Sequence, residues 1–190
     1  SGDYKPGIED HLPNSQYRRD EHRNAVVRDI GDNWVTLSQG RKFHAIFATS
    51  SITEAITYYR LMKAKCSELK ITALFDPNVD NDDDDEDRTA FKSEGLVEIL
   101  EDYNASYGHK FDLGSHANFK KDLAARLAHK VPYIRIEAEP DKRLDLLIVV
   151  DQMLTGFDSK WVNTLYLDKL LAYEAVIQAF SRTNRLFGPD

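Results

Sequence analysis

Four side chains near the end of the chain could do phosphate chemistry. At 100° per residue, Gln178, Ser181, Arg182 and Arg185 of the stretch EAVIQAFSRTNRLF (174–187) share one helical face, while Val176, Phe180 and Thr183 take the other. The apolar side can pack on a core. The other side presents two guanidiniums, whose planar forks match phosphate oxygens. The competing reading is a solvated charged face, which is the commoner use of such a pattern. What surrounds the stretch decides between them.

Two further stretches carry hydroxyls where an anion could approach. DQMLTGFD (151–158) follows an apolar run, so the Thr155 hydroxyl and the Gly156 backbone stand where a phosphate could come close. Asp158 could accept hydrogen bonds from a ribose. Upstream, FHAIFATSS ends in Thr49, Ser50 and Ser51, followed by a helical pattern. Hydroxyls and free N–H groups at a helix start form an anion site, although Ser51 also reads simply as a cap, with Glu54 completing a capping box.

Other constellations are decoys. Asp76, Asn78, Asp80, Asp82, Asp84 and Asp87 fall on the ligand positions of a calcium-loop template. Asn81 stands where that loop needs glycine, Asp87 replaces the bidentate glutamate, and a strand precedes it, so a solvated acidic loop is favoured. Pro140-Asp141 with Asp158-Ser159-Lys160 imitates the split acid–acid–lysine pattern of metal-dependent nucleases, but the spacing is common by chance. The six histidines form no metal-ligand spacing, and no metal residues are assigned. No Gly-x-x-x-x-Gly-Lys-Ser/Thr loop occurs, so no lysine cradle for β- and γ-phosphates is present in these residues.

The elements that must position these groups alternate. Asn14 or Ser15 begins a helix that Gly31 is expected to stop; being polar on most sides, it should lie across a surface or lead in from another domain. A strand is expected over Phe43–Ala48. Ile52, Ala55, Ile56, Tyr59, Met62 and Cys66 form the core stripe of the next helix, and KITALFD is a second strand. GLVEILEDYNASYG reads as helix, and so does the spacing of Phe119, Leu123, Leu127 and Val131. LDLLIVVD is apolar throughout, as in a strand buried on both faces of a parallel sheet, and NTLYLDK is one more strand. The expected fold is α/β, with a mainly parallel sheet flanked by helices. Ligands of such sheets gather at the carboxyl ends of the strands.

Composition bounds the rest. The chain has 190 residues, 42% of them hydrophobic, enough for one domain with a real core. One cysteine, Cys66, excludes an internal disulfide, and with no signal-peptide pattern the expected setting is cytoplasmic, with no membrane span. The net charge is −7, yet residues 76–87 hold eight acids and no base; elsewhere 25 basic residues face 24 acidic ones. A groove for nucleic acid is therefore compatible with the charge.

The series FHAIFATSS, LLIVVDQMLTGFDS, NTLYLDK and VIQAFSRTNRLFGPD resembles the second RecA-like domain of superfamily 2 helicases, and more narrowly the motor (R) subunit of type I restriction enzymes. The likeness runs from about Arg18 to the end and is strongest after Leu144. The TGFD and SRTNR pairing is specific to that group. General helicases usually have glycine before the first arginine, where this chain has Ser181. The resemblance implies that Arg182 and Arg185 are catalytic and meet ATP phosphates across a domain interface. Gln178 and Asp158 would complete the ATP contacts, while Thr155, Gly156, Thr49, Ser50 and Ser51 would touch the DNA backbone. It implies ATP and Mg²⁺, held mainly by a first motor domain outside these residues, and as partners duplex DNA with the modification and specificity subunits. Residues 1–40 would be a lead-in helix and linker, and 41–190 the RecA-like domain, with an acidic loop at 76–88 and a helical insertion at about 89–131. The alternatives are half of another superfamily 2 helicase or remodeller, and a calcium-responsive interaction module.

Overall fold

In the computed structural model, residues 19–76, 86–150 and 159–168 are described. The acidic run from 77 to 85, the stretch 151–158 and the arginine stretch 174–187 lie outside the described residues. The order is α1 (Asp20–Leu37), β1 (His44–Thr49), α2 (Ile52–Lys65), β2 (Ile71–Leu74), α3 (Glu86–Tyr107), α4 (His116–Leu127), β3 (Leu146–Val150) and β4 (Val162–Asp168).

Among the described residues the strands form one four-stranded sheet of order β2-β3-β1-β4. Every pairing is parallel. Such a sheet needs a crossover between neighbours, and the helices supply it. β1, β2 and β3 are buried along their whole lengths, which explains why LLIVV shows no apolar–polar alternation. The fold is therefore the α/β, RecA-like arrangement expected. β1 runs from His44 to Thr49, one residue later than Phe43–Ala48.

α2 buries Ile52, Ala55, Ile56, Tyr59 and Met62 on the stripe read from sequence. α3 adds Leu96, Ile99, Leu100 and Tyr103 to the same core, and α4 adds Phe119, Leu123 and Leu127. Val131 does not continue that row: α4 ends at Leu127, and Val131 is 73% exposed.

The largest departure concerns α1. It does not stop at Gly31 but continues to Leu37. A Cβ at Gly31 would lie 3.1 Å from the Cys66 Sγ, so the glycine lets α1 approach the end of α2 closely. Nor is α1 a polar surface helix. Val27, Ile30 and Trp34, at helical spacing, are buried in the common core. Its stop comes later, where Ser38 N–H donates to the Trp34 carbonyl and Gly40 N–H to the Val35 carbonyl, with Gly40 at φ 71°. Among the described residues no helix is long and apolar enough to cross a membrane.

Candidate functional site

The parallel register brings three strand ends level. Thr49 of β1 pairs with Val150 of β3 on one side and Asp168 of β4 on the other. The chain enters 151–158 directly from Val150, and 169–190 directly from Asp168. The chain therefore leaves β3 and β4 at the edge that carries Thr49, Ser50 and Ser51.

These three residues divide the work. The Thr49 side chain is fully buried, and its hydroxyl points at two carbonyl oxygens, Val149 at 3.2 Å and Ser51 at 3.3 Å. One proton serves either. Ser51 is the N-cap of α2, its Oγ accepting the Glu54 N–H at 3.2 Å. Ser50, between them, is exposed. Thr155, Gly156, Asp158, Gln178, Arg182 and Arg185 lie outside the described residues.

Behind the edge lies a polar network that sequence reading missed. The Glu54 carboxylate does not turn back to complete a capping box. It takes a two-pronged contact from Arg23 of α1, Nε at 2.9 Å and Nη2 at 2.6 Å, while Arg23 Nη1 reaches Asp20 at 2.9 Å. Glu54 is buried, so the pairing satisfies a charge that would otherwise be costly. The hydrogen bond to Glu54 raises the Arg23 pKa against the opposing effect of burial.

The second tie is at Asp168, which is 6% exposed. His22 Nε2 lies 2.6 Å from its Oδ1, and the Tyr58 hydroxyl donates a short hydrogen bond to its Oδ2. Burial, then the bond to Asp168, pushes the Tyr58 phenol far above its ordinary value. His22 and Asp168 are separated by 146 residues, and no local pattern announces their contact. The only sequence signals were an acid ending a strand and a His-Arg pair on a helix.

Residues 41–190 match the model of the type I restriction enzyme subunit R domain 3. The chain is 34% identical over 171 residues to a type I restriction enzyme endonuclease subunit of Staphylococcus aureus (strain COL), covering 88% of this chain and 18% of the relative. A corresponding subunit of Staphylococcus saprophyticus is 32% identical over 172 residues, again 88% of this chain and 18% of the relative. A putative endonuclease subunit of Methanocaldococcus jannaschii is 44% identical over 100 residues, 52% of this chain and 9% of that protein. The chain thus spans about 18% of the length of its staphylococcal relatives. With an all-parallel α/β sheet and a family match running from Arg41 to Asp190, the chain belongs to the family of domain 3 of the type I restriction enzyme R subunit.

Proposed function

We propose that this domain is the second RecA-like half of an ATP-dependent duplex DNA translocase within a restriction endonuclease subunit. The observation that carries the proposal is the shared edge. An exposed Ser50 and the points where the chain leaves β3 and β4, ahead of the TGFD and arginine residues in sequence, lie at the carboxyl ends of adjoining parallel strands.

In this reading Arg182 and Arg185 are delivered to the phosphates of ATP bound on a companion RecA-like domain, where a guanidinium meets charge that develops on the transferred phosphoryl group. Gln178 steadies that pair, and Asp158 accepts from the ribose. Mg²⁺ belongs with the companion domain, because the buried acids on this edge are already committed: Asp168 to His22 and Tyr58, Glu54 to Arg23. Ser50, Thr155 and Gly156 meet backbone phosphates of the duplex, which grips DNA without reading sequence. Thr49 and Ser51 shape the turn that presents Ser50. The modification and specificity subunits supply site recognition, in the cytoplasm.

The test is steady-state ATP hydrolysis by the full-length subunit, with and without linear duplex. Arg185→Ala is expected to lower the duplex-stimulated rate by about 10³-fold or more in a folded protein. The 190-residue chain alone is expected to hydrolyse no ATP, because it has no phosphate-cradling lysine loop. Near-normal stimulated hydrolysis by the variant would sink the assignment of the arginine edge to ATP.

A further inference from the structure

Both ends of the candidate edge are fastened to one turn of one helix. His22 and Arg23 are adjacent in the first turns of α1. His22 holds Asp168, the last residue of β4, from which the chain continues toward Gln178, Arg182 and Arg185. Arg23 holds Glu54 in the first turn of α2, which Ser51 caps and Ser50 precedes. Nothing in the assignments above gives α1 a part in the reaction, and α1 lies upstream of the matched residues 41–190.

We propose that His22 and Arg23 are positioning residues that set the phosphate-facing and DNA-facing parts of the edge relative to each other. The proposal rests on the motor reading above. Its physical basis is that each tie ends on a buried carboxylate. Glu54 and Asp168 are both 6% exposed, so neither can exchange its α1 partner for water without losing free energy. The body of α1 is itself packed into the core through Val27, Ile30 and Trp34. Its first turn is therefore a fixed point, not a loose arm. A shift of that turn moves Asp168 and Glu54 together, and with them the starts of the segments proposed to contact ATP and DNA. A merely stabilising helix would need only its apolar stripe. Two charged or hydrogen-bonding ties on consecutive residues, to two different elements at the same sheet edge, are more than packing requires.

The experiment uses the full-length subunit and measures basal ATP hydrolysis, hydrolysis with linear duplex, and melting temperature. Arg23→Gln combined with Glu54→Gln removes both charges, so neither is left buried and unpaired. The double variant is expected to keep basal hydrolysis within about twofold and to lose about tenfold in the duplex-stimulated rate. At the other tie, His22→Ala is expected to show the same uncoupling, while His22→Gln, whose Nε2 can replace the imidazole donor, restores stimulation. A purely structural role would lower the melting temperature of both His22 variants without separating the two rates. Intact stimulation in the double variant and in His22→Ala would overturn the proposal, as would an equal fall of both rates. If the unmodified subunit showed no duplex-stimulated hydrolysis, the motor reading itself would fail, and this inference with it. If Arg23→Gln/Glu54→Gln does not fold, the comparison of His22→Ala with His22→Gln decides alone.

Discussion

His44 Nε2 lies 2.9 Å from His129 Nε2, at the end of the sheet opposite the candidate edge. The other ring nitrogen of His44 makes a short hydrogen bond to the Leu144 carbonyl. A carbonyl can only accept, so His44 Nδ1 carries the proton and Nε2 is an acceptor. His129 Nε2 must then donate, which leaves His129 Nδ1 as a bare acceptor, buried and without a hydrogen-bond partner. The His129 ring also stacks on Trp161, centroids 4.0 Å apart. The bond between the rings needs His44 Nε2 unprotonated, so protonating His44 breaks it, and burial disfavours a charge on either ring.

Acid should therefore loosen this end of the sheet. Burial, partly offset by the bond to Leu144 and reinforced by Arg143 and Arg126, lowers the His44 pKa to about 4. Burial, His44 and Arg143 lower that of His129 to about 3. In the unfolded chain both titrate near 6.5. Between these values the unfolded state binds more protons, so the stabilisation is complete above about pH 6.5 and lost as pH falls toward 4 and then 3. Melting temperatures at pH 7 and pH 5 should fall by several degrees more in the parent than in His129→Gln, whose amide donor stays neutral. Equal falls would show that the pair is uninvolved.

Gly95 on α3 faces Ile56 on α2 without room for a methyl group. A Cβ there would lie 2.5 Å from Ile56 Cδ1 and 2.8 Å from Cγ1. Alanine in a helix interior usually stabilises by about 1 kcal/mol over glycine. Here overpacking, costing about 1–3 kcal/mol, should reverse the sign. Urea unfolding of Gly95→Ala should show the loss, and the same change made on Ile56→Val should cost less, since the nearest carbon is gone.

Arg126 is 1% exposed, and its guanidinium is enclosed by tyrosines. Its Nε donates to the Tyr103 hydroxyl at 2.8 Å and its Nη2 to the Tyr133 hydroxyl at 2.8 Å, while its Cζ sits 3.8 Å from the Tyr107 ring centroid. Asp122, 3.3 Å from Nη2, balances the charge. Arg126→Met should cost about 3 kcal/mol, because it strips the Tyr103 and Tyr133 hydroxyls of their donor and leaves the part-buried Asp122 without its arginine. Arg126→Lys should rescue little, since one ammonium cannot reproduce the planar fork. A lysine variant as stable as the parent in urea would mean that charge alone matters there.

What was legible in the sequence was local. The unbroken LLIVV run announced a doubly buried parallel strand, and the Ser51 cap was readable because its partner is three residues away. α1 was misread because glycine usually ends a helix, and only the approach of Cys66 explains why Gly31 continues one. The His22–Asp168 and Arg23–Glu54 ties join distant segments, and the first depends on the register of β1 with β4. Side-chain periodicity carries no record of such a register. The hydroxyl trio was found as a group, but its division of labour follows from burial, which three adjacent polar letters do not reveal.

That division gives the sharpest test of the edge. Thr49 is fully buried and spends its hydroxyl on carbonyls, whereas Ser50 is exposed. Thr49→Val keeps the shape and removes one internal hydrogen bond, so it should cost about 1 kcal/mol of stability and leave DNA affinity nearly unchanged. Ser50→Ala should do the reverse. Its melting temperature should match the parent, while the full-length subunit binds linear duplex several-fold more weakly and loses part of its duplex-stimulated hydrolysis. The proposed Ser50 contact is made by an uncharged hydroxyl, so the slope of log affinity against log salt should not change, since that slope counts released counterions. Binding isotherms at three salt concentrations, with thermal melts of the same samples, separate the outcomes. If Thr49→Val weakened DNA binding as much as Ser50→Ala did, the buried hydroxyl would have to turn outward in the complex, and the edge would rearrange on binding.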